Sequence, residues 1–316
     1  MHIITFKEIQ SLGIDPAQCC AWVDEALRVK GSSLLPKKIS LSPEGMHNVF
    51  YNTMPSLIPA IQRGGVKLVT RYPKRTPALD SELLLYDMAS GDCLALMDAD
   101  WITTMRTGAV AAHSIKLLAK SGFTRVGFIG LGNTARATFL CLHSLFPERN
   151  LEVGLLRYKD QHKNFRDRFS DVANVSFTEF EHVEAMASWC DVLVSCVTAA
   201  DHDFCSPDCF ERGVLLVPVH TRGFAECDLV FDKVFADDRK HVSPFKYFER
   251  FEPKLTEVAD VVRNVALGRE SDEERILVYN IGISLHDIYF ASKIYDMLMT
   301  RGIEITLEKP TEKIWV

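Results

Sequence analysis

The 316-residue chain contains no apolar run approaching the roughly 20 residues that a membrane-spanning helix needs. No membrane partner is expected. Its opening residues, Met1 to Lys7, lack the pattern of a secretory signal, so a cytoplasmic location is expected. An excess of positive charge is also missing. The net charge of −6 excludes the basic footprint of a nucleic-acid binder. There is no C-x-x-C pair among the nine cysteines, which are odd in number and scattered. Reduced thiols are the expectation. His202, Cys205 and Cys209 are spaced as a possible half of a zinc site, but no second ligand pair follows at finger or ribbon spacing. No metal is expected. Internal repeats and low-complexity linkers are absent as well.

What is present is the composition of a folded protein, 47% hydrophobic and 25% charged, long enough for two domains. Residues 15–30 have an amphipathic helical pattern, with Asp15 and Pro16 as N-cap and first helical residue. A β-rich region follows. Lys37–Ser42 and Met46–Thr53 flank a turn at Pro43–Gly45, Gly65–Tyr72 alternates, and Glu82–Asp87 and Cys93–Met97 flank Ala89–Gly91 as a hairpin. Such hairpins predict a largely antiparallel or mixed sheet. From about Asp98 to Lys120 the period is helical. After Phe123 strand and helix patterns alternate. Strands are predicted at Arg125–Gly130, Glu152–Arg157, Val175–Phe177, Asp191–Val197, Val214–Val219 and Leu229–Phe235. Their apolar runs fit a parallel sheet covered on both faces. Asn280–Thr300 is again helical.

Gly130, Leu131, Gly132, Asn133, Thr134 and Ala135 form a G-x-G-x-x-A turn between a predicted strand and a predicted helix. This is the fingerprint of a dinucleotide-binding βαβ unit. The first glycine permits a tight turn, the second lets backbone approach a pyrophosphate, and the small third residue lets helix and strand pack closely. The helix N-terminus then receives the phosphates. The second strand ends in Arg157, Tyr158, Lys159 and Asp160. Arg157 and Lys159 favour a ribose 2′-phosphate and Asp160 keeps a free 2′-hydroxyl open, so the cofactor reads as NAD or NADP.

Other residues could carry chemistry. Lys67 shares a strand face with Val69 and Arg71. It is either one residue of a solvated face or a cation for a substrate carboxylate, able to donate a proton if burial lowers its pKa. Arg106 lies in a helix rich in small residues and suits bidentate carboxylate binding. A surface arginine is the alternative. His220 ends the strand Val214–Val219, where doubly wound sheets hold their ligands. Histidine suits proton transfer near neutral pH, though a structural role is equally compatible with the pattern. Cys196 and Thr198 end another strand, where Thr198 could line the nicotinamide and Cys196 could simply pack.

Taken in order, Val66–Thr70, Leu85–Asp98, Met105–Ala112, the Gly130 turn, Gly268–Ser271 and Asn280–Asp287 followed by Ala291 resemble the ornithine cyclodeaminase/mu-crystallin family nearly end to end. The resemblance implies an α/β fold: a Rossmann NAD(P)-binding domain at 120–283, plus a discontinuous α+β substrate-binding and dimerisation domain at 1–119 to which 284–316 returns. It implies a homodimer acting at the Cα–N bond of a small amino or imino acid with NAD(P). It further implies that Lys38, Lys67 and Arg106 hold the substrate carboxylate. Two positions depart from the ornithine-cyclising members. Asn52 stands at the place of a Glu, and His220 at the place of an Asp. A carboxylate anchors a substrate ammonium well and a histidine poorly, which argues against ornithine. An amino or imino acid dehydrogenase, with Lys67 and His220 as the proton-handling groups, is therefore the expected activity. The alternatives are conversion of ornithine to proline and ammonia with the cofactor recycled, and a low-turnover NADP-dependent binding protein of the mu-crystallin type.

Overall fold

The computed structural model describes residues 1–197, 200, 202–220, 223–308 and 310–313. In chain order its elements are β1 (His2–Ile4), α1 (Phe6–Ser11), α2 (Pro16–Val29), β2 (Ile39–Leu41), β3 (Phe50–Ile58), β4 (Arg63–Arg71), β5 (Leu79–Asp87), β6 (Cys93–Asp98) and α3 (Asp100–Leu118). They continue with β7 (Arg125–Ile129), α4 (Asn133–Leu145), β8 (Leu151–Leu156), α5 (Gln161–Arg168), β9 (Val175–Phe180), α6 (Val183–Trp189), β10 (Val192–Ser195) and β11 (Leu215–Pro218). The last are α7 (Cys227–Val230), β12 (Lys233–Ala236), α8 (Arg239–Val242), α9 (Phe248–Phe251), β13 (Leu255–Glu257), α10 (Val258–Val262), β14 (Ile276–Tyr279), α11 (Ser284–Leu298) and β15 (Ile303–Glu304). Two compact units result. One comprises Met1–Ile14, Ser32–Thr103 and Asp287–Val316, the other Asp15–Gly31 and Thr104–His286. Helix α2 packs on α4 and α10. The boundary between the compact units lies at 103/104, and residues 15–31 belong with the second unit.

The first unit is built on a seven-stranded sheet in the order β15-β1-β6-β5-β4-β3-β2. Strands β2 to β6 run antiparallel, while β1 is parallel to β6, so the sheet is mixed. The β5–β6 hairpin is set by Asp87, whose carboxylate accepts from the backbone N–H groups of Ala89 and Ser90. Strand β3 starts at Phe50 and not at Met46, because Met46–Val49 is a turn with Asn48 at a φ of 60°. It runs on through Pro55, which lies beyond the stretch paired with β2, where the missing N–H costs no ladder bond. Residues opposite one another share a face. Lys67 faces Met54 and Leu83, while Asn52 and Ser81 both lie opposite Val69. That common face is the buried one: Met54, Val69, Ser81 and Leu83 are all closed to solvent. On the other face Val66, Leu68, Leu84 and Leu96 are half-buried, and Ile39, Leu41 and Leu57 are exposed.

The second unit is an eight-stranded, wholly parallel sheet ordered β13-β12-β14-β11-β10-β7-β8-β9. The chain steps outward from β7 to β9 and then crosses back to β10. The strand order thus reverses between β7 and β10, as in a Rossmann fold. The inner strands β10, β11 and β14 are buried on both faces, which is why they are apolar without alternation, whereas the edge strand β9 alternates. On one side Ile129, Leu193, Leu216, Val234 and Leu277 pack with Phe210, Phe224 and Phe231. Around α4, Phe139 stacks with Phe165 and Phe169 at centroid distances of 5.7 and 4.6 Å.

Four segments differ from the sequence expectation. Leu229–Phe235 is not one strand. Cys227–Val230 is a helical turn because Asp228 turns inward to the Tyr279 hydroxyl, and β12 begins only at Lys233. Strands β13 and β14 were too short and irregularly flanked to register as a pattern. Helix α11 starts at Ser284 and not Asn280, since Gly282 has a φ of +82° that no helix accommodates. Among the described residues, no helix is long and apolar enough to cross a membrane.

Candidate functional site

In the parallel unit the glycine turn sits at the strand-order reversal. Gly130 follows β7 with a φ of +77°, and a Cβ there would lie 3.0 Å from the backbone carbon of Cys196 and 3.0 Å from the nitrogen of Val197. Both the dihedral and the close approach demand glycine. Gly132 is the N-cap of α4 and supplies no capping side chain. The first-turn N–H groups of α4, at Asn133, Thr134 and Ala135, are therefore left to whatever binds there. The Leu131 N–H donates to Gln161 Oε1 at 3.3 Å, which fixes the turn's apex against the start of α5. This cradle fits a pyrophosphate.

At the end of the second strand the two cations are arranged differently from one another. Arg157 donates to Glu179 at 3.0 Å and to Glu181 at 2.6 Å, so its charge is already matched by two carboxylates. Lys159 is exposed, at a φ of 50°, with its ammonium 5.3 Å from the Tyr158 ring centre. Asp160 is paired with Lys163.

Beside the cradle, at the ends of β10 and β11, the Ser195 hydroxyl and His220 Nε2 share a hydrogen bond of 2.6 Å. The half-buried His220 ring meets Phe204 edge-on at 6.2 Å and lies tilted over Phe224 at 6.4 Å. Two aromatic walls and one hydroxyl thus orient the imidazole. Burial pushes the Cys196 thiol up to about 12, so it packs and does not act as a nucleophile. Thr198 lies outside the described residues. The Cys209 thiol donates to the Ser206 carbonyl at 2.9 Å. Among the described residues no group of three His, Cys, Asp or Glu side chains is placed to hold a metal.

Arg106 is buried on α3. A Cβ on Gly282 would lie 2.5 Å from its Nη1, so the guanidinium needs glycine backbone against it. The Gly282 N–H and the Asn280 side-chain amide both donate to Asp237 at 2.9 Å. Burial raises the Asp237 carboxyl above its ordinary range, while the two donors and the charge of Arg106 pull it back down. Asp237 is thus a buried carboxylate whose field falls on Arg106.

In the mixed-sheet unit Lys67 is fully buried on β4 and donates to Asp287, also fully buried on α11, at 2.6 Å. A second donation reaches Thr103 Oγ1 at 3.2 Å. Lys67 is therefore no part of a solvated strand face. Lys38 is half-buried immediately before β2, and one further step of the β2–β3 register sets it opposite Met54, on the Lys67 face. Asn52 shares that face, and its Oδ1 is buried without a hydrogen-bond partner.

The sequence reading did not single out Asp287, Thr103, Ser81 or Asp237. The signal for Asp287 was available. A carboxylate set in the apolar run Ile281–Phe290 requires a buried cation, and Lys67 sits in an equally apolar strand.

The family model described as ornithine cyclodeaminase/mu-crystallin family matches residues 5–302. Alanine dehydrogenase of Archaeoglobus fulgidus is 26% identical, covering 95% of this chain and 96% of that protein. Among solved structures, the Thermococcus litoralis Δ1-pyrroline-2-carboxylate reductase in complex with NADH and L-proline superimposes with a TM-score of 0.86 at 23% identity, covering 96% of this chain and 100% of that one. An archaeal alanine dehydrogenase dimer with bound NAD gives 0.85 at 24% identity, covering 98% and 99%.

Proposed function

The chain belongs to the ornithine cyclodeaminase/mu-crystallin family, and on that premise we propose that it is an NAD(P)-dependent oxidoreductase acting at the Cα–N bond of a small amino or imino acid. The observation that carries this reading is the Gly130–Gly132 cradle at the strand-order reversal, adjoined by the Ser195–His220 pair at the neighbouring strand end. The relatives support it, being an alanine dehydrogenase and a Δ1-pyrroline-2-carboxylate reductase.

Each residue has a task in this reading. Gly130, Gly132, Asn133, Thr134 and Ala135 bind the pyrophosphate through backbone N–H groups. Lys159 is the cation available at the ribose, since Arg157 is matched by Glu179 and Glu181. Thr198 is proposed to line the nicotinamide. When bound, the nicotinamide would exchange a hydride with the substrate's α-carbon. Arg106, Lys67 and Lys38 are the cations for the substrate carboxylate, and holding that group orients the α-carbon. Asn52 offers its amide to the substrate. His220, fixed by Ser195, and Lys67 handle the proton that leaves or joins the nitrogen. Neither Asn52 nor His220 supplies the carboxylate that an ornithine side chain would call for.

The half-buried apolar face of the mixed sheet, bordered by exposed Ile39, Leu41 and Leu57, supports a homodimer, in keeping with the dimeric alanine dehydrogenase. The functional test is a thermal-shift screen of the purified chain with NAD, NADP, amino acids and cyclic imino acids, alongside mass spectrometry of released small molecules. Stabilisation by one nucleotide and by one amino or imino acid is expected. Nucleotide binding with no response to, and no turnover of, any such acid would replace the enzyme reading with a binding protein.

A further inference from the structure

Lys67 has no exposed surface, so its ammonium cannot exchange protons directly with bulk water. It nevertheless sits at the inner end of a continuous chain of hydroxyl groups. Lys67 Nζ donates to Thr103 Oγ1 at 3.2 Å, Thr103 Oγ1 and Ser81 Oγ are 3.0 Å apart, and Ser81 Oγ donates to Asp100 Oδ1 at 2.9 Å. The direction of the middle bond is settled by its neighbours. Ser81 gives its one hydrogen to Asp100, so Thr103 must donate to Ser81. All three bonds therefore point outward, from the buried ammonium to a half-buried carboxylate.

The fold holds this chain in register. Ser81 lies on the same sheet face as Lys67 and diagonally across from it. Asp100 and Thr103 are three residues apart in α3 and so project from one side of that helix onto Ser81. The start of α3 is fixed to β5 because the Ala99 N–H donates to the Ser81 carbonyl at 2.8 Å and the Thr103 N–H to the Ala99 carbonyl at 2.7 Å.

We infer that Thr103, Ser81 and Asp100 form a proton relay that connects the Lys67 ammonium to solvent. This rests on the proposed role of Lys67 in handling the substrate nitrogen's proton. In amino-acid oxidation one proton must leave the site, and in imine reduction one must enter. For the outward move, an ammonium proton passes from Lys67 to the Thr103 oxygen, the Thr103 hydroxyl proton passes to Ser81, and the Ser81 proton passes to Asp100. One N–H bond is lost and one carboxyl O–H bond is gained, while each hydroxyl breaks one O–H bond and forms another. No oxidant or reductant is consumed. The reverse sequence recharges Lys67. Burial and the nearby charges of Asp98 and Asp80 raise the Asp100 carboxyl above its ordinary range, opposed by a hydrogen bond from Ser81. That favours a group able to hold the proton in transit. None of the three relay residues is proposed to touch substrate. They act through Lys67.

The test cuts the chain without removing Lys67. Thr103→Val and Ser81→Ala each delete one hydroxyl, and Thr103→Ser restores it. Exchange of the Lys67 ammonium protons with water, followed by NMR on protein labelled with nitrogen-15 lysine, requires no substrate. The relay predicts exchange slower by about tenfold in both deletion variants, the change expected for losing one hydrogen bond along the path, and wild-type exchange in Thr103→Ser. A merely structural defect would loosen the site and speed exchange. Unchanged or faster exchange in both Thr103→Val and Ser81→Ala overturns the relay. Turnover separates the two claims. If Lys67→Ala retains full amino-acid turnover, the role of Lys67 in the reaction fails. If Lys67→Ala loses turnover but the deletion variants keep wild-type rates and solvent deuterium isotope effects, the relay fails and the function stands.

Discussion

In the seven-stranded sheet, charge lies in the middle of a strand, where Lys67 and Asp287 meet with neither exposed. In the eight-stranded sheet the inner strands are apolar along their length, and the polar groups collect at the carboxyl ends: Ser195, His220, Asp237 and Asn280. The difference follows from topology. A parallel sheet leaves every strand at the same edge, so loops bring polar groups there and the strand interiors need carry none. An antiparallel meander has no common edge. A chemical group in it must stand on a face, and whatever covers that face must compensate its charge.

The largest expected effect tests that compensation. Asp287→Ala leaves an unmatched buried ammonium and should cost about 3–5 kcal/mol of stability in urea unfolding. The double variant Lys67→Met with Asp287→Leu should recover most of it while remaining inactive. A single-variant loss within the scatter of surface substitutions would show that Lys67 does not depend on Asp287. Next in size is the strand-end group. His220→Asn should lower turnover by about a hundredfold with nucleotide affinity unchanged, the contribution expected of one proton-transfer group. Full turnover in that variant, alongside loss in Lys67→Ala, would remove His220 from the reaction and shift the chemistry to the mixed sheet alone.

Smaller is Gly130→Ala. It places a side chain at a φ of +77° and 3.0 Å from the Cys196 backbone. A strain of about 1–2 kcal/mol is expected, read as weaker NAD(P)H binding by fluorescence titration. Equal affinity would mean that the cradle tolerates a Cβ. The smallest effect concerns pH. Burial pushes the Asp228 carboxyl up to about 7 from an ordinary 3.8, with the Tyr279 hydroxyl donating to it at 2.6 Å. The folded state holds this proton more tightly than the unfolded state does. The group's stabilisation is therefore complete below pH 3.8 and is lost as pH rises through about 7. Asp228→Asn should flatten the decline in Tm between about pH 4 and 7. An unaltered slope would place the titration elsewhere.

Much of the parallel unit was legible in the sequence because its signals are local. The Gly130 turn is contiguous, and apolar runs between turns identify β7, β8, β10 and β11. The mixed sheet's chemistry was less legible. Alternation around Lys67 was read correctly as a two-faced strand, but which face is buried depends on α3 and α11, and Asp287 is 220 residues away in the chain. Arg106 was visible as an arginine among small residues. The buried Asp237 whose charge it feels, and the need for glycine at 282, emerge only when distant segments meet. The pairing of Arg157 with Glu179 and Glu181 was equally hidden, since those carboxylates lie on and just beyond β9.

The account stands on hydride transfer at a Cα–N bond. Its most direct test is to supply the protein with NADH or NADPH deuterated at the nicotinamide C4 and a panel of α-imino acids, including cyclic ones and mixtures of α-keto acids with ammonia. Mass spectrometry then reads the amino acids formed. The account predicts that one substrate acquires deuterium at its α-carbon. Reduced nucleotide that binds tightly yet delivers label to no α-carbon in the panel would contradict it.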